Sequence, residues 1–359
     1  MEVKAVSGIM LILLLTSVLM LTFKIHPVKA IGTIYIRADG GVEPDTAPIS
    51  SVGNVTYTFT GDIYDYIVVE RDNIVVDGAG NALQGSGSGN GVYWSGVNNV
   101  TIKNTNIKNF RIGIYLQSTS SNVISGNNIT NNYPVYRNCI GIYLRDSSNN
   151  SISENKLAKN DDSIMLDWSA GNSIYGNNIT DDGHGIYLYD SRHNTISRNN
   201  ISSIKYYGIW IKSSSNNNIS ENNIKANNPG IKLYESSNNN ISRNNIKANI
   251  IAIEVGYSSN NSIYHNNFVE NTEQVYSYNS TNFWNDGDGK GNYWSDYEDR
   301  YPGAEEIDES GIWNTPYVID INNQDNYPLV PEFPLFLIPS LFMIATLLAV
   351  VVYRRKHSM

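Results

Sequence analysis

The sequence is poor in several things that other protein classes need. It holds a single cysteine, Cys139, among 359 residues, which excludes an internal disulfide framework. Charged residues make up only 16%, and the formal net charge is −9. Phosphate binding requires a basic footprint, so nucleic acid is excluded as a partner. Long apolar runs are missing from the interior of the sequence and occur only at its two ends. Asparagine is abundant, and there are 25 tyrosines. Asn tolerates left-handed backbone and caps turns with its side chain, so this composition suits short strands joined by tight turns.

Residues 1–30 run from Lys4 through an apolar stretch, Ile9 to Phe23, to Val28-Lys29-Ala30. That order is expected of a secretory signal; an uncleaved N-terminal anchor is the alternative. Pro334 to Tyr353 carries no charge, is long enough to cross a bilayer as a helix, and is followed by Arg354-Arg355-Lys356. The expectation is an exported chain held at the cell surface through segment 331–359. The order Pro331-Glu332-Phe333, apolar span, basic cluster resembles the PEF-CTERM sorting signals of archaeal surface proteins, which implies that the span is removed by a sortase-like enzyme. With Lys4, Lys24, Lys29, Arg354, Arg355, Lys356 and Glu2 set aside, the net charge of the remainder falls from −9 to −14. Sequons such as Asn128-Ile-Thr, Asn178-Ile-Thr and Asn200-Ile-Ser admit glycosylation of an exported chain.

Between these ends the sequence repeats about every 22 residues. Ile102, Ile124, Ile152, Ile174, Ile196, Ile219, Ile241 and Ile263 form one column, and a second apolar column follows five residues later. A third holds Gly113-Ile-Tyr-Leu, Gly141-Ile-Tyr-Leu, Gly185-Ile-Tyr-Leu and Gly208-Ile-Trp-Ile. Each repeat thus offers three short alternating strands and cannot bury its own apolar edge. Stacking repeats roughly 4.8 Å apart buries a continuous Ile/Leu interior, and ten coils would span about 45–50 Å. The predicted fold is all-β, a right-handed parallel β-helix over 73–282. Residues 31–72 supply a cap and first irregular coils, and 283–330 a C-terminal cap. Asn127, Asn155, Asn177, Asn199, Asn222, Asn244 and Asn266 share one turn position and are predicted to stack as an amide ladder. The extra residues between Ile124 and Ile152 form a loop around Tyr133-Pro-Val-Tyr136.

The run from Tyr57 to Gly80, together with Gly291-Asn-Tyr-Trp-Ser-Asp-Tyr297, Asn314-Thr-Pro-Tyr-Val-Ile319 and Asp325-Asn-Tyr-Pro-Leu329, resembles NosD-like β-helix proteins. With the repeats, the resemblance covers about 33–330. It implies an extracytoplasmic location, and for the family's namesake a role in maturing a copper site. Copper prefers clustered His, Met and Cys. The donors between the ends are Cys139, Met165, His184, His193 and His265, and they fall in different columns.

Three kinds of site follow from the residues that break the repeat. Asp161-Asp-Ser-Ile-Met-Leu166 and Gly183-His-Gly-Ile-Tyr-Leu188 resemble signatures of polygalacturonases, which implies polysaccharide hydrolysis. In that reading Asp161 and Asp162 share acid and base roles while His184 orients one of them. The resemblance breaks where Asn138-Cys139-Ile140 and Trp210-Ile-Lys212 replace the family's further carboxylate and substrate-binding Arg. The second kind is a binding face. The middle residue of the third strand points outward, giving the stripe Tyr93, Tyr115, Tyr143, Met165, Tyr187, Trp210, Lys232, Glu254 and Tyr276. Tyr143, Tyr187, Trp210 and Lys212 are candidate contacts for a polysaccharide or surface glycan, while a self-supporting Tyr ladder is the structural alternative. The third is a calcium site at Asp286 and Asp288, within Asn285-Asp-Gly-Asp-Gly289.

Overall fold

The computed structural model describes residues 32–130 and 139–331. The expected signal at 1–30, nearly all of segment 331–359 and the Tyr133–Tyr136 loop lie outside the described residues. Among the described residues, no helix is long and apolar enough to cross a membrane.

The three columns become three sheets of 12, 11 and 10 strands, parallel except for one antiparallel end strand in each of the first two, wound as a solenoid of short coils. The registers follow the repeat. Ile102 pairs with Ile124, which pairs with Ile152, and the column continues to Ile263. Ile107 to Phe268 form the second column. Ile114, Ile142, Ile164, Ile186, Ile209, Ile231 and Ile253 stack in the third. Nearly all of these side chains are fully buried. Each such burial stabilises by roughly 1.5–3 kcal/mol, which is what drives coil onto coil.

Buried amide ladders run beside this interior. Asn199 Nδ2 donates to Asn222 Oδ1 at 3.0 Å and to the Ile174 carbonyl at 2.9 Å, while its own Oδ1 accepts from Asn177 Nδ2 at 3.0 Å. The same pattern continues through Asn244 and Asn266 to Asn292. A second ladder, which the sequence reading did not isolate, joins Asn122, Asn150, Asn172, Asn194, Asn217, Asn239, Asn261 and Asn282. Every rung pairs turn polar groups that burial would otherwise leave unsatisfied.

Antiparallel hairpins close the ends. Ile34–Ile36 pairs with Val42–Glu43 on its outer side, and Thr56–Phe59 pairs with Ile49–Val52. At the far end Trp294 is sandwiched between Phe268, 4.3 Å away, and Tyr317, 4.1 Å away. Tyr317 belongs to the hairpin Tyr317–Asp320 with Asn323–Asp325. Covering the first and last coils removes the open strand edges that would otherwise recruit other chains.

Candidate ligand-binding site

The third sheet bends just before each strand Ile. A Cβ at Gly185 would press within 3.0 Å of Ile201 Cγ2, so that position faces the interior. Gly185 and Ile186 therefore both point in, and His184 is turned out beside Tyr187 and Tyr189. The same bend turns out Asp162 with Met165 and Asp167, and Tyr207 with Trp210 and Lys212. Simple strand alternation would have put His184 inside with Ile186.

On this face Asp162 and His184 are register partners, as their 22-residue spacing predicts. Asp162 Oδ1 lies 2.6 Å from His184 Nδ1. Four rings surround the imidazole: Tyr206 at 5.2 Å, Tyr207 at 5.3 Å, Trp210 at 5.4 Å and Tyr187 at 6.3 Å between centroids. The outward stripe is present, but its rings stack on one another. Tyr187 and Trp210 are 4.2 Å apart and 9° from parallel, and Tyr115 and Tyr143 are 4.9 Å apart. A ring covered by its neighbours offers edges rather than faces. Tyr143 donates its hydroxyl to Asp167 Oδ2 at 3.0 Å. Burial first, then the charge of Asp162, pushes Tyr187 up, so its hydroxyl stays protonated. Lys212 sits with its ammonium 5.8 Å from the Trp210 ring and 5.4 Å from Tyr189.

Asp161 faces a different feature. It lines a cleft of about 580 Å³ with Lys159, Asp181, Asp182, Lys205 and Tyr206. The two adjacent aspartates are therefore divided between the cleft and the His184 cluster. Tyr206, which the sequence reading passed over, connects the two: it lines the cleft, lies over His184 and is 42% exposed. It follows an irregular turn rather than the strand alternation, so no period marks it.

Beneath the cleft, Asp182 stands where other coils carry a ladder asparagine. It is 3% exposed. Its Oδ1 accepts from Asn160 Nδ2 at 3.1 Å, and Ser163 Oγ donates to Oδ2. Burial pushes its carboxyl up to about 7, against the hydrogen bonds from Ser163 and Asn160. The next coil has Ile204 at this position, and its amide bonds forward to Asn227. The ladder is therefore interrupted after Asp182 and resumes at Asn227 and Asn249, and a rung before the gap needs to accept but not to donate onward.

The metal candidates do not converge. Among the described residues, no group of three or more His, Cys, Asp or Glu side chains is placed to hold an ion. Burial first, then Asp161, pushes the Cys139 thiol up and away from the thiolate a soft metal prefers. His184 is engaged by Asp162, and His265 Nε2 lies 2.9 Å from Asp286 Oδ2. Asp286 Oδ1 accepts the amides of Asp288 and Lys290, while Asp288 is exposed. Asp286 thus closes its own turn, and these residues do not fit a copper or a calcium ligand set.

A solenoid of parallel strands with a laddered interior defines the class, a right-handed β-helix, and residues 58–180 match the right-handed β-helix region family. Residues 134–299 match the family described as periplasmic copper-binding protein (NosD), and over this stretch the chain is NosD-like. No curated protein matches the chain. Among solved structures it is similar to the exopolygalacturonase of Thermotoga maritima, at 11% identity over 64% of this chain and 73% of that one, with a TM-score of 0.50. It is also similar to the periplasmic alginate epimerase AlgG, at 19% identity over 62% and 65% of the two chains, with a TM-score of 0.34. A third is DFA-IIIase from Arthrobacter chlorophenolicus A6 without its lid, at 14% identity over 69% and 65%, with a TM-score of 0.44. The chain thus spans 65% of the alginate epimerase's length. These identities speak for the fold alone.

Proposed function

We propose that this protein is a saccharide-binding β-helix, exported and held outside the cytoplasm through its C-terminal segment. The observation that carries the reading is the ring cluster around His184, with the half-exposed Tyr206 at the mouth of the cleft and the Lys205 ammonium 4.9 Å from its ring centre. Aromatic faces pack against the apolar faces of sugar rings, and the cleft's carboxylates and ammonium groups suit hydroxyls. Tyr143, Tyr187 and Trp210 support the platform from within the stripe, and Lys212 borders it.

Affinity electrophoresis of the full chain through gels containing mixed-linkage β-glucan, glucomannan, polygalacturonate or alginate tests this. Retardation in at least one gel is expected. Tyr206→Ala should weaken it by about tenfold, the order of one stacking contact. No retardation in any gel, or unchanged retardation of Tyr206→Ala, would overturn the reading.

A second reading has one observation in its favour. The Asp162–His184 contact is the arrangement in which a carboxylate orients an imidazole for general base work. If the face cleaves the bound chain, reducing ends should appear in the same polysaccharides and vanish with Asp162→Asn. Activity that survives that substitution would remove Asp162 from any catalytic role.

A further inference from the structure

Trp168 is the residue on this sheet that folding explains least. It follows the strand Asp162–Asp167 and is 62% exposed. Its φ is +50°, left-handed backbone that suits Gly, Asn and Asp and that bulky side chains seldom adopt. Equivalent left-handed turns in other coils carry Ser118, Asp146, Asp190, Ser213, Glu235 and Asn279, none of them aromatic. Tyr257 is the other aromatic at this position, and its 53% exposure has a structural reason. Its ring packs edge-on against both Tyr234 and Tyr278, each 5.6 Å away. Trp168 has no such support: among the described residues its indole meets no ring, cation or hydrogen-bond partner.

Its position relates it to the His184 cluster. Asp162 begins the strand that Trp168 follows, and that strand is the register partner of His184–Tyr189. Tyr206 and Trp168 therefore stand at opposite ends of the same short outer face, separated by roughly 20 Å of strand at about 3.3 Å per residue. Asp146 and Asp190 flank Trp168 on the coils before and after, since they follow Arg145 and Tyr189, the register partners of Asp167. Asp190 and Asp146, the latter 3.7 Å from Arg145, can accept from hydroxyls, and the net charge of −9 of the whole chain disfavours an anionic sugar.

We propose that Trp168 is a second contact of the same site, binding a neutral polysaccharide that lies along the strands from Tyr206 to Trp168, crosswise to the solenoid axis. This rests on the saccharide-binding reading above and adds the direction of the chain, its charge class and a residue far from the cleft.

The test compares the full chain with Trp168→Asn, a residue the left-handed turn accommodates, and with Trp168→Tyr. Titration calorimetry with short and long oligomers of mixed-linkage β-glucan and glucomannan is the measurement. Trp168→Asn should lose about tenfold in affinity for long oligomers and nothing for short ones, and Trp168→Tyr should recover part of the loss. Equal losses on short and long oligomers, or no loss on either, would overturn the crosswise placement while leaving the Tyr206 site standing. Tighter binding of oligogalacturonates than of neutral oligomers would overturn the charge class. Failure of the full chain to bind any oligomer would overturn both readings together.

Discussion

Replacing Asp182 by Asn should make the protein more stable above neutral pH and leave it nearly unchanged in acid. Asp182 is buried, and its carboxyl is pushed from 3.8 to about 7. The folded state therefore holds this proton more tightly than the unfolded chain does. Between those two values the folded state binds more protons, so stability falls as pH rises, and the loss is complete once pH passes the folded value. At about 1.4 kcal/mol per pH unit the full span is worth on the order of 4 kcal/mol. Asparagine abolishes this slope because it does not titrate. It also fits the site, because its carbonyl can accept from Asn160 as Asp182 Oδ1 does. The Ser163 hydroxyl, which now donates to Asp182, can rotate to accept from the new amide. Thermal melts of the parent and Asp182→Asn at about pH 4 and about pH 8, followed by circular dichroism, measure the difference. Asp182→Asn should melt several degrees higher at the alkaline pH, with the gap closing in acid; other titrating groups cancel in the comparison. A gap that ignores pH, or a variant less stable than the parent at about pH 8, would refute the claim that a buried carboxylate precedes the break in this ladder.

The case of Asp182 also shows where the sequence is legible and where it is not. A 22-residue period reports which residues recur, so it located the Ile columns, the Asn127-to-Asn266 ladder and the stacking of Asp162 under His184. It reports nothing about a side chain's direction at a bend. The inward turn at Gly185 is what brings His184 onto the face of Tyr187 and Trp210. Alternation also marked the outward stripe and left a binding face and a self-supporting Tyr ladder as alternatives, and the stacked pairs Tyr115–Tyr143 and Tyr187–Trp210 follow the ladder. Tyr206 and Trp168 sit in turns, where each coil departs from the repeat in its own way, and their openness depends on neighbours one coil away. The paired departures Ser163 and Asp182 are 19 residues apart, so they look unrelated in sequence and meet only because the coils stack. The capping hairpins pair antiparallel, a relation that a parallel repeat cannot foretell.

Two further substitutions test the ladders themselves. Asn199→Ala should destabilise the protein by roughly 2–4 kcal/mol at every pH, because it strips acceptors from the buried amide and side chain of Asn177 without supplying replacements; urea unfolding that shows no loss would mean the rungs are ornamental. Asp325→Asn should destabilise the protein in acid, where Asp182→Asn is nearly neutral. Asp325 ends a ladder, and burial pushes it up to about 6, so titration alone would predict a gain from asparagine at alkaline pH. Its hydrogen bonds decide otherwise. Oδ2 accepts the Asn292 amide at 2.7 Å and Trp294 Nε1 at 3.0 Å, while Oδ1 accepts the Tyr327 amide at 3.0 Å. Those donors are fixed N–H groups that cannot reverse as a hydroxyl does, so an asparagine must set its own NH₂ against one of them. An opposed buried donor costs about 1–3 kcal/mol at any pH, whereas the ionisation it relieves destabilises the parent progressively between 3.8 and about 6 and in full above that. Melts of Asp325→Asn at about pH 3.5, below both values, should therefore fall below the parent, and the deficit should close by about pH 8, where the relieved ionisation is worth about 3 kcal/mol. A higher melting point at about pH 3.5 would show that acceptor-only rungs are not required at the capped end.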